Sequence, residues 1–187
     1  WYSLFAKAME IIESYHKNYP LRRGIPREEL KSRLKLKPRI FSATINKLIT
    51  DHEITAYDNS VAKPGHTITF DKGEQVKIQA LMRQFEASPF APPSVKDCQA
   101  EVGEETLNAL RELNELIIVS SDVIFRKQDY DRMVMKVQDI LIQNGNITLA
   151  EVRDLFNTSR KYAQALLEHL DAIGITTREG DFRKLRK

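Results

Sequence analysis

One order of elements recurs three times along these 187 residues, and the repetition leaves few architectures open. Each copy reads as a long amphipathic helix, a short helix, a second amphipathic helix, and then two short β-type runs. In the first copy, "LFAKAMEIIESYHKNY" puts Leu4, Ala8, Ile11, Ile12 and Tyr15 on one helical face. "PREELKSRLK" follows with Pro26 at a helix start, and "PRIFSATINKLITDHE" carries Ile40, Phe41, Ile45, Leu48 and Ile49 at helical spacing. Residues 54–57 and 67–70 are expected to close the copy as strands, joined by a loop with Lys63, Pro64 and Gly65.

The second copy runs "EQVKIQALMRQFEAS", "SVKDCQAEV" and "EETLNALRELNEL", and closes with the hairpin "LIIVSSDVIFRK". The prolines of "SPFAPPS" keep its first two helices apart. The third copy runs "DYDRMVMKVQDILIQNG", "TLAEVRDLF" (with Thr148 as N-cap), "SRKYAQALLEHLDAIG" and the hairpin "ITTREGDFRKLR". Three helices closed by a small hairpin make a winged helix. The repeat is about 60 residues, longer than the common solenoid periods. The expected fold is therefore mainly α with small β-hairpins: three tandem winged-helix modules, 1–72, 73–127 and 128–187, in an elongated arm. The joints near 71–73 and 127–129 have almost no linker, which predicts stiff packing between neighbours.

Charge separates the modules. Lys plus Arg against Asp plus Glu stands at 13 to 8 in 1–72, 6 to 9 in 73–127 and 10 to 9 in 128–187. From Asn157 onward, however, seven basic residues face four acidic ones: Arg160, Lys161, Arg178, Arg183, Lys184, Arg186 and Lys187. The helix beginning at Ser159 opens with Arg160 and Lys161, at the end where the helix dipole disfavours cations by a few tenths to about 1 kcal/mol. A bound polyanion would reverse that balance, because unpaired N–H groups and cations together cradle phosphate. A merely solvated helix face is the alternative reading.

"TSRKYAQALLEHLDAIGITTREGDFR" resembles the last winged-helix module of the selenocysteine-specific translation elongation factor family, the bacterial type called SelB. "YPLRRGIPREELKSRL" resembles a segment of an internal module of the same family. The resemblance implies an N-terminal GTPase part that binds selenocysteinyl-tRNA. It also implies a C-terminal arm whose last module grips an mRNA hairpin beside a UGA codon. On that basis the RNA-binding positions are Ser159, Arg160 and Lys161 at the helix start, and Arg178, Gly180, Asp181 and Arg183 in the wing. The family often enters the wing with two basic residues. Here Thr177 precedes Arg178, so one phosphate contact is expected to weaken or to come from Lys184 or Arg186. Arg153, Lys184, Arg22 and Arg23 are secondary candidates. The mRNA stem-loop and the ribosome are the implied partners, with the tRNA bound through other domains.

The remaining signals are mostly exclusions. No GxxxxGK[ST] phosphate loop occurs, so GTP and magnesium are expected only in the GTPase part, and no cofactor in this stretch. His16, His52, His66 and His169 lack ligands at metal spacing, and no catalytic set is visible, so neither a metal site nor an enzyme is expected. The single Cys98 suits a buried thiol. Without an apolar run of 18 residues or a signal sequence, a cytoplasmic monomer without membrane contact is expected. Trp1 in place of Met gives the expectation of a piece of a longer protein. Two other functions stay open: a duplex-DNA-binding transcription regulator, and a protein-interaction scaffold.

Overall fold

The computed structural model describes residues 2–186; Trp1 and Lys187 lie outside the described residues. The chain forms two compact units, Trp1–Asp71 and Lys72–Lys187. The first contains α1 (Tyr2–Asn18), β1 (Ile25–Pro26), α2 (Arg27–Leu34), α3 (Pro38–Thr50), β2 (Thr55–Ala56) and β3 (Ser60–Ala62). Pro26 and Pro38 stand at the starts of α2 and α3, where a missing N–H costs nothing. Ala8, Ile12 and Tyr15 of α1 join Leu30, Leu34, Phe41, Ile45 and Leu48 in one buried core. Each large side chain fully buried there contributes about 1.5–3 kcal/mol. Ile40, expected on the apolar face of α3, is instead 50% exposed, because the helix turns that position outward.

The first sheet corrects the strand expectation. Its order is β1-β3-β2, and the second strand of the wing is Ser60–Ala62 rather than 67–70. Asp58 and Asn59 make the tight turn, closed by the Tyr57 N–H donating to the Ser60 carbonyl at 2.9 Å. Val61 and Ala62 are fully buried, and this burial draws the strand in. Lys63, Pro64 and Gly65 therefore follow the sheet instead of joining its strands. The strand β1 was not anticipated, since two residues show no alternation. It fits only because Gly24 lets the backbones meet: a Cβ there would lie 2.5 Å from the Val61 carbonyl oxygen.

The second unit holds α4 (Lys72–Ala87), α5 (Val95–Val102), α6 (Glu104–Glu112), β4 (Leu116–Ile118) and β5 (Ile124–Arg126). It continues with α7 (Lys127–Asn144), β6 (Ile147–Thr148), α8 (Leu149–Leu155), α9 (Arg160–Ala172), β7 (Thr176–Glu179) and β8 (Phe182–Leu185). Both expected helix-and-hairpin sets are present, but 73–127 and 128–187 share one compact unit. Val119, Val123 and Phe125 of the β4–β5 hairpin sit in the same core as Met133, Val137, Leu141, Leu166 and Leu170. The joint itself is buried: Asp129 is 1% exposed and accepts from Arg126 Nε at 2.8 Å, while Arg126 Nη1 reaches Glu86 at 2.9 Å. The last sheet runs β6-β8-β7, with Arg178 directly opposite Arg183. Ile173, at helical spacing from Leu166 and Leu170, is nonetheless 51% exposed, because the helix has ended and Gly174 turns the chain at φ 79°.

In the first unit, His16 stacks on His66 with ring centroids 3.5 Å apart. The Lys63 N–H donates to His16 Nε2 at 3.2 Å, so that nitrogen is unprotonated, and the buried Nδ1 has no partner. Burial, and then the neighbouring His66, lowers the His16 pKa from 6.5 to about 4. The unfolded chain takes up a proton near 6.5, whereas the folded unit resists until about 4. His16 therefore supports the fold fully above pH 6.5, and that support drains away as the pH falls towards 4. Amide exchange in the core of the first unit should accelerate between pH 7 and 5, after correction for intrinsic exchange. His16→Gln should flatten the trend, and an equal slope in both proteins would show that His16 does not titrate with folding.

Candidate nucleic-acid interface

The helix α9, like α3 and α6 at the same place in the other two copies, starts without a side-chain cap, whereas the short helices α5 and α8 have one. Ser94 before α5 and Thr148 before α8 each form a reciprocal capping box, with Asp97 and Glu151. Ser159 has the extended backbone of an N-cap, φ −84° and ψ 161°, yet its side chain caps nothing. No acidic residue stands in the first turn of α9. The entry to the helix is fixed from outside: Thr158 Oγ1 donates to the Phe90 carbonyl at 2.5 Å, and Phe90 packs on Phe156 at 5.1 Å.

Beside this helix start lies a cavity of about 290 Å³. Arg153, Arg160, Arg178 and Arg183 line it together with Asp181, and Thr148, Leu149 and Ala150 complete the wall. Three elements that are distant in sequence thus converge: the start of α8, the start of α9, and the wing. Thr148–Ala150 was not anticipated as part of the site. Its capping box was legible, but nothing in sequence shows that this end of α8 faces the wing.

Each arginine is held differently. Arg160 is exposed and has no ion-pair partner among the described residues. Arg178 Nε donates to the Gly180 carbonyl at 3.0 Å, within its own turn. Gly180 has φ 62° and open space around it, so backbone conformation, not crowding, calls for glycine. Arg183 is only 5% exposed and donates from Nε to Asp171 at 3.2 Å. Asp171 also accepts from Thr176 Oγ1 at 2.5 Å. It is half-buried and engaged by both partners. Arg153 pairs with its neighbour Asp154 at 2.7 Å, and both are well exposed.

Lys161 does not line this cavity. One residue along a helix turns the side chain by about 100°. Lys161 accordingly pairs with Asp122 at the tip of the β4–β5 hairpin, and that bond raises its pKa. Tyr162 is a packing residue: its hydroxyl donates to the Pro92 carbonyl at 2.9 Å, and its ring faces Phe125 at 6.3 Å. Lys184 pairs with Glu179 across the wing at 2.6 Å. In the first unit, Arg22 donates to the Tyr15 hydroxyl at 3.0 Å and lies over the Tyr19 ring. Arg23 lies over Tyr57. Among the described residues, no group of three or more His, Cys, Asp or Glu could hold a metal ion. Cys98 is buried, and burial pushes its thiol pKa up to about 11. Among the described residues, no helix is long and apolar enough to cross a membrane.

Two family models, both described as elongation factor SelB, winged helix, match residues 139–185 and 9–62. A selenocysteine-specific elongation factor of Desulfomicrobium baculatum is 27% identical over 98% of this chain, and one of Escherichia coli is 26% identical over 96%. This chain spans about 30% of the length of either relative. The mRNA-binding domain of elongation factor SelB from E. coli, solved in complex with SECIS RNA, aligns at TM-score 0.51 and 26% identity. That alignment covers 63% of this chain and all of the other. A bacterial elongation factor EF-Sec shares the fold over 99% of this chain at TM-score 0.57 and 16% identity, matching 29% of its own length.

Asp171→Ala would strand a buried guanidinium, so it should destabilise the second unit by roughly 2–4 kcal/mol in urea unfolding. Lys161→Ala removes a half-exposed pair and should cost under about 1 kcal/mol. A near-neutral Asp171→Ala would show that the wing is held by other contacts.

Proposed function

Because this chain belongs to the winged-helix region of the SelB elongation-factor family, we propose that it is the mRNA-hairpin-binding arm of a selenocysteine-specific translation factor. The observation that carries this reading is the convergence of Arg153, Arg160, Arg178 and Arg183 on one cavity between the wing and the start of α9. A guanidinium offers fork-shaped donors to phosphate and a flat face to an unstacked base, which lysine does not. RNA hairpin loops present unstacked bases, whereas the grooves of an A-form stem are hard to read. The E. coli structure with SECIS RNA supports a stem-loop as the ligand.

Within this reading, Arg160 and Arg178 reach the RNA directly, and Arg183 forms the fixed wall of the site. The uncapped N–H groups after Ser159 add a partial positive charge. Asp181 supplies the one carboxylate in the cavity, an acceptor that a base edge can use and a phosphate cannot. Lys161 contributes through the general field rather than by contact, since Asp122 holds it. GTP, magnesium and selenocysteinyl-tRNA belong to the rest of the protein, and this arm tethers them beside a UGA codon on the ribosome. The protein acts as a cytoplasmic monomer, and the arm itself catalyses nothing.

The geometry disfavours a duplex-DNA reader. A winged helix that reads DNA lays its third helix in the major groove, yet the outward face of α9 carries Gln164 bonded to Glu168 at 2.8 Å. That glutamate would meet phosphates or base acceptors. A salt-titrated binding assay separates the two readings, using a stem-loop RNA, the same stem closed by a tetraloop, and duplex DNA. Loop-dependent RNA binding that Arg160→Ala weakens by roughly 1–3 kcal/mol is expected, with Lys161→Ala costing clearly less. Equal or tighter binding to duplex DNA would overturn the proposal.

A further inference from the structure

Eight basic residues stand between positions 22 and 39; Arg27 is half-buried at the start of α2, and the other seven are Arg22, Arg23, Lys31, Arg33, Lys35, Lys37 and Arg39. The structure sorts them. Lys31 pairs with Glu28, and Arg33 with Glu29 at 2.6 Å. Arg22 and Arg23 lie on tyrosine rings, at 4.6 and 5.0 Å. Lys35, Lys37 and Arg39 remain, all exposed, and their side chains have no acidic or hydrogen-bonding partner among the described residues. They alternate along the turn from α2 to α3.

That turn is preorganised. Lys35 ends α2 in the left-handed conformation, φ 54° and ψ 39°, with its N–H bonded to the Lys31 and Ser32 carbonyls. Leu36 packs into the core beneath it. Lys37 is extended, and Pro38 starts α3 with its φ fixed by the ring. The cationic tips can move, but their roots stay at a fixed spacing. Three uncompensated cations within five residues repel one another, and the sequence supplies no acid there to offset them.

We infer that this turn is a second binding site, for the phosphodiester backbone of a nucleic acid, read without regard to sequence. The 35–39 stretch presents only donors, with no carboxylate, hydroxyl or amide side chain. A ligand that complements it must be all acceptor, as a phosphate backbone is; a protein surface, even an acidic one, offers both donors and acceptors. No exposed aromatic stands among the three cations to stack a base, so contact is with phosphate alone. The site lies in the first unit and does not depend on the arginine cavity of the second.

The test uses the whole chain and a blunt 16-base-pair RNA duplex, which has no loop for the arginine cavity. A DNA duplex of the same sequence and polyglutamate run alongside. The variant is Lys35→Asn, Lys37→Gln and Arg39→Gln together, with Asn chosen because it tolerates the left-handed position. Wild type should bind the RNA duplex with a salt slope steeper than the variant's by about 2–3, and roughly tenfold or more tightly at low salt. Binding of the DNA duplex as well would make the site general for nucleic acids; binding of RNA alone would make it one for A-form backbones. The exchange Lys37→Arg with Arg39→Lys should retain binding, and the melting profile of the neutral variant should match wild type. Arg160→Ala should weaken the stem-loop more than the duplex, and the triple variant the duplex more than the stem-loop, so failure of one site leaves the other legible. An unchanged slope in the neutral variant, or equal affinity for polyglutamate, would overturn the inference.

Discussion

Two arginines stand directly opposite each other across the last hairpin, and the third module has to make that arrangement tolerable. Arg178 pairs in register with Arg183, and like charges in that relation weaken a sheet. Asp171 resolves the conflict from α9. Its carboxylate takes the Nε–H of Arg183, in β8, and the hydroxyl of Thr176, in β7. One side chain thus neutralises the inner arginine and fastens both strands of the wing to the helix. Arg178 spends its own Nε–H on the Gly180 carbonyl. The cavity exists because the wing is held at that distance from the start of α9, and a looser wing would draw Arg178 and Arg183 away from Arg160.

Nearby acids compensate some of the basic residues and leave others uncompensated. Arg160 and Lys161 are neighbours in sequence but not in role: one lines the cavity unpaired, the other is bound to Asp122. The same sorting in the first unit takes Lys31 and Arg33 out of play and leaves the α2–α3 turn charged. Counting basic residues overstates a binding surface, since exposed pairs cost little to form and are common.

The long helices were legible because their apolar faces repeat over ten or more residues, and the "SSD" and "EGD" hairpins because turn residues mark them. The strands β1 and β6, of two residues each, carry no period and arise only from pairing with β3 and β8. The misplaced strand at 67–70 shows the same limit: Val61 and Ala62 enter a core whose position the sequence does not reveal. At the candidate site, the residue types Arg160, Arg178, Arg183 and Asp181 were visible in the sequence. The burial of Arg183, the diversion of Lys161 and the contribution of Thr148–Ala150 were not, because each depends on a neighbour far away in the chain.

By charge alone the middle helices read as an acidic spacer and no more than that. The packing assigns their hairpin a second task. Val119, Val123 and Phe125 complete the core on which α9 rests, and Asp122 and the Phe90 and Pro92 carbonyls fix the first turn of α9 from outside. That turn has no side-chain cap of its own, as α3 and α6 have none, so its first N–H groups stay open. Holding it through Thr158, Lys161 and Tyr162 leaves the end of the helix open and still ordered. An exposed, uncapped and cationic helix start would otherwise fray, so the acidity of the middle module and the basicity of the last are two halves of one local solution.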